Sequence, residues 1–295
     1  DVLDGGDGDD LYVADDLDTV IEASDAGNDT VQSAFSHTLA ANLENLFLTG
    51  ADAVNATGNA LDNRLGGNSG NNLLDGGDGV DTVVLAPGPQ YYLFTVLGGG
   101  LLQASDSYAD NGDDGIDTLV NIEALEFGYR GWSLDWSGPT LAVRASPLDD
   151  LMDFSGSVLD VALHGDMGYD LIYGGEGHDT LQGGDGVDSL YGGGGNDTLS
   201  GLDFFVTQAD DLYGGAGDDL YRVDALDTVH ELGGQGTDTV QAAVSWTLST
   251  SVENLELTGS ADLEGVGNSL ANRLTGNSGA NILSGGGGDD TYVVD

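Results

Sequence analysis

GDMGYDLIY, GGEGHDTLQ, GGDGVDSLY and GGGGNDTLS run without a break over residues 165–200. Each of these nine-residue units has glycine at positions 1 and 4, aspartate at position 6 and one large aliphatic residue at position 8 (Ile172, Leu181, Leu190, Leu199). A fixed period of this kind marks a repeat architecture, because one such unit cannot bury a core alone and must stack on its neighbours. Glycine adopts φ > 0 at no steric cost, so Gly174, Gly175 and Gly177 allow a tight turn whose carbonyls curve inward. After Asp179, the alternation of Thr180, Leu181 and Gln182 predicts a three-residue strand with one inward side chain. Asp179 itself closes the turn with a carboxylate, which suits calcium, a cation that takes about six to eight oxygen ligands from carboxylates and carbonyls.

The motif resembles the RTX (repeats-in-toxin) family of calcium-binding nonapeptide-repeat proteins. The resemblance implies an all-β parallel β-roll, or β-solenoid, in which successive nonapeptides form the two halves of one turn and each ion lies between turns stacked on the same edge. It pairs Asp170 with Asp188 and Asp179 with Asp197. The following unit opens at Gly201 but reaches its aspartate only at Asp210, after four extra residues in the turn that holds Phe204 and Phe205. GGAGDDLYR then resumes at Gly214 and extends the ladder to Asp188 with Asp210 and Asp197 with Asp219. The implied metal-binding residues are those six aspartates and the turn glycines Gly174, Gly175, Gly177, Gly183, Gly184, Gly186, Gly192, Gly193, Gly195, Gly214, Gly215 and Gly217. Asp10, Asp81, Asp117, Asp238 and Asp290 occupy the same position in outlying repeats.

Composition agrees with a chain that needs a cation. Fifty-two acidic residues against five basic ones give a formal charge of −47, which repels itself in any compact state and excludes nucleic acid as a direct partner. Fifty glycines raise the entropy cost of folding, so metal-coupled folding is the natural solution. With no cysteine there is neither a disulfide framework nor a zinc-thiolate site. No apolar run approaches a membrane span, and no N-terminal charged-plus-apolar signal is present. Type I secretion, which the resemblance implies, uses no such cleaved signal.

A longer repeat organises the whole chain. Residues 5–85 align without a gap on residues 214–294, with more than half of the positions identical, as a duplication of one module. Asp18-Thr19-Val20, Asp29-Thr30-Val31-Gln32, Glu44-Asn45-Leu46 and Gly58-Asn59 recur as Asp227-Thr228-Val229, Asp238-Thr239-Val240-Gln241, Glu253-Asn254-Leu255 and Gly267-Asn268. Within the first copy, GNALDNRLG, GNSGNNLLD and GGDGVDTVV tile residues 58–84, with Asn63 and Asn72 in the aspartate position. Asparagine keeps a carbonyl oxygen but no charge, so these turns are expected to hold by amide hydrogen bonds and to bind calcium weakly or not at all. GGQGTDTVQ at 233–241 is complete, whereas SDAGNDTVQ at 24–32 keeps only Gly27 and Asp29, so the C-terminal copy is the better expected binder.

The expected organisation is a degenerate module (1–85), an aromatic β insert continuous with the solenoid (86–155), a regular calcium-binding β-roll (156–213) and the second module copy (214–295). The insert holds Tyr91, Tyr92, Phe94, Phe127, Tyr129, Trp132 and Trp136 between the turn signals Pro87-Gly88-Pro89 and Gly98-Gly99-Gly100. Residues 92–97 and 119–127 read as longer strands, GDDGIDTLV at 112–120 is another repeat, and the aromatic cluster is expected to be core.

Catalytic signatures do not occur. There is no HExxH, since His230-Glu231 lacks the second histidine, and no GxSxG. Carboxylate pairs such as Asp9-Asp10 and Asp218-Asp219 fall at repeat positions, the acidic run 106–117 lacks EF-hand spacing, and His37, His164, His178 and His230 read as surface or packing residues. The chain therefore reads as a structural calcium-binding segment of a large secreted or cell-surface protein (adhesin, surface layer, sheath or fibre) of a Gram-negative bacterium. The alternative is the C-terminal RTX region of an extracellular hydrolase or polysaccharide epimerase whose catalytic domain lies elsewhere. Threonine at position 7 is interrupted by Ser189 and Leu171, which breaks the flat ladder an ice-binding face needs. Both ends of the chain fall inside repeats, so either the sequence is a window from a longer protein or its open ends stack on other copies; self-association end to end, or through Phe204 and Phe205, joins calcium and a cell-surface polysaccharide as the expected partners.

Overall fold

A computed structural model describes residues 1–24, 26–86, 88–106, 115–138 and 140–294. Asp25, Pro87 of the Pro-Gly-Pro turn, residues 112–114 of GDDGIDTLV and Asp295 lie outside the described residues. The chain forms two compact units, Asp1–Pro139 and Thr140–Asp295. Among the described residues nearly all regular structure is β, and no helix is long and apolar enough to cross a membrane.

The second unit shows the rule most plainly. Strands Val161–Met167, Thr180–Asp185, Thr198–Ser200, Leu220–Val223 and Thr239–Ala242 pair in parallel along one sheet. Strands Leu151–Asp153, Leu171–Gly175, Ser189–Gly194, Asp211–Ala216 and Thr228–His230 pair in parallel along a second sheet. Ile172 stands opposite Leu190 and Leu181 opposite Leu199, so partners are two nonapeptides apart and one solenoid turn consumes two repeats. Strand alternation sends Ile172, Leu181, Leu190, Leu199 and Leu212 inward, where each is fully buried. Pairing in parallel continues through Asn254–Leu257, Arg273–Thr275 and Thr291–Val293 on the first side, with Trp246–Thr247, Glu264–Val266 and Ile282–Ser284 forming a further short sheet.

The glycines of a repeat have separate jobs. Gly193 and Gly195 take φ of 108° and 114°, and a Cβ on either would lie 2.1 Å from the Gly175 carbonyl oxygen or 2.0 Å from that of Gly177. They are needed because stacked turns touch through backbone. Of the three glycines expected at positive φ in the second repeat, only Gly175 (φ 131°) is there. Gly177 is fixed by the Leu159–Asp160 backbone, 2.7 Å from where its Cβ would be, and Gly174 by the carboxylate of Asp179, 2.4 Å from its own.

On the outer face, position 9 stacks Tyr173, Tyr191, Tyr213 and His230 with ring centroids 4.7, 4.5 and 4.2 Å apart and nearly parallel planes. This spacing is that of adjacent strands, so in-register pairing alone builds the ladder. His230, which the sequence leaves as a bland surface residue, ends the stack and bonds Asp211 Oδ1 at 2.7 Å.

In the first unit, Leu11–Ala14, Thr30–Ser33, Asn45–Leu48, Arg64–Gly66, Thr82–Val84 and Ala124–Phe127 pair in parallel. The aromatic segment adds antiparallel strands: Tyr92–Gly98 pairs with Leu101–Asp106, which pairs with Ile116–Val120. Ile116–Val120 in turn lies parallel to Leu73–Asp75. Residues 119–127 are not one strand, because Asn121 turns the chain at φ 52° between Ile116–Val120 and Ala124–Phe127. Tyr92, Phe94, Phe127 and Trp132 form a buried ring cluster with centroids 4.9 to 6.3 Å apart, whereas Tyr129 is exposed.

Phe204 and Phe205 lie in a bend and not in a strand, and both are exposed (66% and 84%), so the lengthened turn does not fold back over them. Their N–H groups donate to Asp185 Oδ1 at 2.7 and 2.9 Å.

Truncating the core should be costly even with the edges loaded with calcium. Leu190→Ala is expected to destabilise by about 2–5 kcal/mol in calcium-saturated denaturant unfolding, while Val187→Ala, at a half-exposed turn position, should stay within about 0.5 kcal/mol.

Candidate metal centre

The turn aspartates form two ladders, one along each edge. On one edge the N–H of Asp150 donates to Asp170 Oδ1, that of Asp170 to Asp188 and that of Asp188 to Asp210, each at 2.8 Å. The Asp210 N–H donates to Asp227 Oδ1 at 3.2 Å. On the other edge Val161 donates to Asp179, Asp179 to Asp197, Asp197 to Asp219 and Asp219 to Asp238, at 2.7 to 2.9 Å. One oxygen of each carboxylate thus fixes the next turn.

The other oxygen has nothing. Oδ2 of Asp170, Asp179, Asp188, Asp197, Asp210 and Asp219 is buried without a hydrogen-bond donor, on residues only 1 to 3% exposed. A buried polar atom without a partner is costly, and a buried charge more so. Burial accordingly lifts Asp170, Asp197 and Asp210 to about 8 and Asp179 and Asp188 to about 6, from an ordinary 3.8, against the opposing backbone hydrogen bond.

Each orphaned oxygen faces the position-1 glycine of its own turn. A Cβ on Gly165, Gly174 or Gly192 would lie 2.2 to 2.4 Å from the Asp170, Asp179 or Asp197 Oδ2. It would also lie 2.5 to 2.9 Å from the carbonyl oxygen of Gly183, Gly192 or Gly214 in the next turn along the same edge. The absent side chain therefore leaves a gap bounded by a carboxylate of one turn and a carbonyl of the next. Oxygen-only, anionic and buried, this donor set fits a hard cation such as calcium.

The first of these ladders ends in hydrogen bonds instead of open gaps. Asp150 Oδ2 accepts from the Ser146 N–H (3.0 Å) and hydroxyl (2.5 Å), and Asp227 Oδ2 accepts from the Asp224 N–H (2.7 Å).

Asparagine turns close the same gap with their own atoms. Asn63 Oδ1 accepts the Asn59 N–H (2.6 Å) while its Nδ2 donates to the Leu43 and Glu44 carbonyls. Asn72 repeats the arrangement with Asn68 and Val54, and Asn272 with Asn268, Val252 and Glu253. The amide N–H groups take the place of the cation.

The outlying aspartates are placed as follows. Asp81 Oδ1 accepts from Asn63 and its Oδ2 is orphaned; Asp117 Oδ1 accepts from Asn72; half-buried Asp290 accepts from Asn272. Asp10 donates its N–H to fully buried Asp29, and both keep an orphaned Oδ2. Sequence reading missed Asp150, Asp227, Glu44, Glu123 and Glu253. Glu44, Glu123 and Glu253 stand where a repeat has its aspartate, accepting the N–H of Asp29, Asp81 and Asp238 at 2.8 to 2.9 Å. Their signal is an acidic residue just before a strand, which a search for a nine-residue period overlooks.

Orphaned carboxylate ladders along the edges of a parallel solenoid define a calcium-binding β-roll. Four stretches, residues 57–88, 164–202, 207–224 and 266–295, match the family model described as RTX calcium-binding nonapeptide repeat, so the chain carries RTX calcium-binding nonapeptide repeats. No curated protein matches it. Among solved structures, the crystal structure of extracellular lipase LipA from Serratia marcescens is similar at 18% identity and a TM-score of 0.23, over 86% of this chain and 35% of the lipase. The chain thus spans about a third of that protein's length.

Raised carboxylate pKa values set the pH dependence of the metal-free fold. The folded state holds these protons up to about pH 6 to 8, whereas unfolded aspartate loses them near pH 4. The stabilisation is therefore complete below about pH 4 and is lost as pH rises through the folded values. In chelator, circular dichroism should show β-structure increasing on acidification from pH 8 to 5; a signal that falls would contradict this.

Proposed function

We propose that the chain is a calcium-folded structural segment of a large protein exported by type I secretion and displayed outside a Gram-negative cell, as an adhesin, surface layer, sheath or fibre. The observation that carries this reading is the row of buried, donorless Oδ2 atoms on both edges. Calcium supplies the missing positive charge, and a chain of net charge −47 stays unfolded where calcium is scarce and folds where it is plentiful. Aspartates 170, 179, 188, 197, 210 and 219 and their turn glycines are the ligands, with Asp10, Asp81, Asp117, Asp238 and Asp290 serving outlying repeats. Phe204, Phe205 and Val206 form an exposed apolar tip that suits self-association.

In chelator at neutral pH the chain should be largely disordered and gain β-structure at roughly 10⁻⁴ to 10⁻³ M calcium. An unchanged circular dichroism spectrum on adding calcium would overturn the reading. Asp188→Asn, in the middle of one ladder, should weaken calcium binding more than Asn63→Ala, and equal effects in a calcium titration would contradict the assignment of ligands.

A further inference from the structure

We infer that the duplicated module carries a second kind of cation site, Asp10/Glu22/Asp29 in one copy and Asp219/Glu231/Asp238 in the other, in which a glutamate replaces the first glycine of a turn. The proposal rests on the calcium reading above and adds a ligand the nonapeptide does not contain.

The register locates the glutamates. Val2–Asp4 pairs with Thr19–Ile21 so that Asp4 faces Ile21, and the next residues along, Gly5 and Glu22, fall at equivalent points. In the second copy Tyr213 faces His230, which puts Glu231 level with Gly214. Gly5 and Gly214 are the position-1 glycines beside Asp10 and Asp219. A glutamate in the next turn of that edge sends a carboxylate toward the gap a glycine would leave empty. One oxygen from each of Asp219, Glu231 and Asp238 falls within 4.8 Å of the others, and the same holds for Asp10, Glu22 and Asp29.

Independent of this clustering, buried carboxylate oxygens at each site lack donors. Asp219 is 2% and Asp29 0% exposed, and the Oδ2 of each is orphaned, as is Glu231 Oε2. A tyrosine beside each glutamate completes the wall. The Tyr221 hydroxyl accepts the Gly214 N–H at 2.8 Å and donates to Glu231; Tyr12 accepts from Gly5 at 2.9 Å and donates to Glu22. In the nonapeptides of residues 165–200 position 8 is aliphatic, whereas Tyr292 takes it near the end of the second copy and accepts the Gly285 N–H at 2.9 Å with no glutamate beside it. Three carboxylates with one phenol and no basic side chain form a hard-oxygen set richer in charge than an ordinary edge gap, and calcium affinity rises with the number of charged ligands. These are therefore the sites that fill first.

Terbium accepts calcium's oxygen ligands and emits when an adjacent tyrosine is excited, so the tyrosine beside each glutamate reports on the site. Titrated into the metal-free chain, it should show tyrosine-sensitised emission in the earliest phase. Glu22→Gln with Glu231→Gln should abolish that phase and lower the calcium count in native mass spectrometry by one ion per substitution, while Glu264→Gln at an exposed position changes neither. An unchanged phase and count overturn the site. Should the glutamine variant fail to fold, Tyr12→Phe with Tyr221→Phe keeps every carboxylate: the count should hold while early emission falls, and undiminished emission overturns the proposal. Failure of the unaltered chain to bind calcium would refute the calcium reading itself; normal calcium folding with indistinguishable glutamate variants would refute this site alone.

Discussion

The fold turns on one division of labour inside a carboxylate. Each edge aspartate gives Oδ1 to the backbone N–H of the neighbouring turn, which sets the stacking distance and register, and leaves Oδ2 buried without a donor. The first half is a charge-assisted hydrogen bond and favours the roll. The second half opposes it, since burying an unpaired carboxylate oxygen costs more than a neutral hydrogen bond returns. Because both belong to the same group, the stacking interaction cannot be had without the vacancy, and a cation is what reconciles them.

The other features follow from that constraint. In the regular repeats position 1 is glycine because a Cβ would stand within 2.2 to 2.4 Å of Oδ2, in the space between carboxylate and carbonyl. Positions 2 and 4 favour glycine for a different reason, the close backbone contact between stacked turns, which at Gly193 and Gly195 comes with positive φ. Where asparagine replaces aspartate, as at Asn63, Asn72 and Asn272, the same backbone frame is kept and the amide N–H groups reach the carbonyls directly. The module thus contains two solutions to one problem, one dependent on an ion and one not. The difference is a single oxygen exchanged for a nitrogen.

Much of this was legible in the sequence because a strict period fixes geometry. The nine-residue spacing of Asp170, Asp179, Asp188 and Asp197 marks the repeat, the resemblance to RTX proteins implies which of these aspartates share an edge, and the aliphatic residue at position 8 gives the core. What was not legible lies where the period slips. Glu44, Glu123 and Glu253 do the work of an aspartate from loops of other lengths, and only strand register reveals it. The Tyr173–His230 stack depends on in-register pairing of four strands of one sheet, contributed by alternate repeats, and leaves no mark in any one repeat. Phe204 and Phe205 were hard to place for the same reason: an insertion frees its residues from the alternation that would assign them a face.

Coupling between turns has a direction set by these contacts. The Asp179 carboxylate of one turn and the Gly192 carbonyl of the next are the groups that would hold an ion beside Gly174, and the Asp197 of that next turn already holds the Asp179 N–H. Binding there would therefore order the backbone that lines the neighbouring gap on the same edge. The two edges share only the thin aliphatic core between them, Leu181 and Leu190 among its members. Such a chain behaves as a one-dimensional array with nearest-neighbour coupling, in which order spreads from a nucleus. Capping at Asp150 and Asp227 by hydrogen bonds stops the ladder on one edge without a half-built gap. On the other edge the ladder runs on through Asp219 into Asp238 and Glu231, so the most carboxylate-rich point of the second unit lies where the regular roll meets the duplicated module.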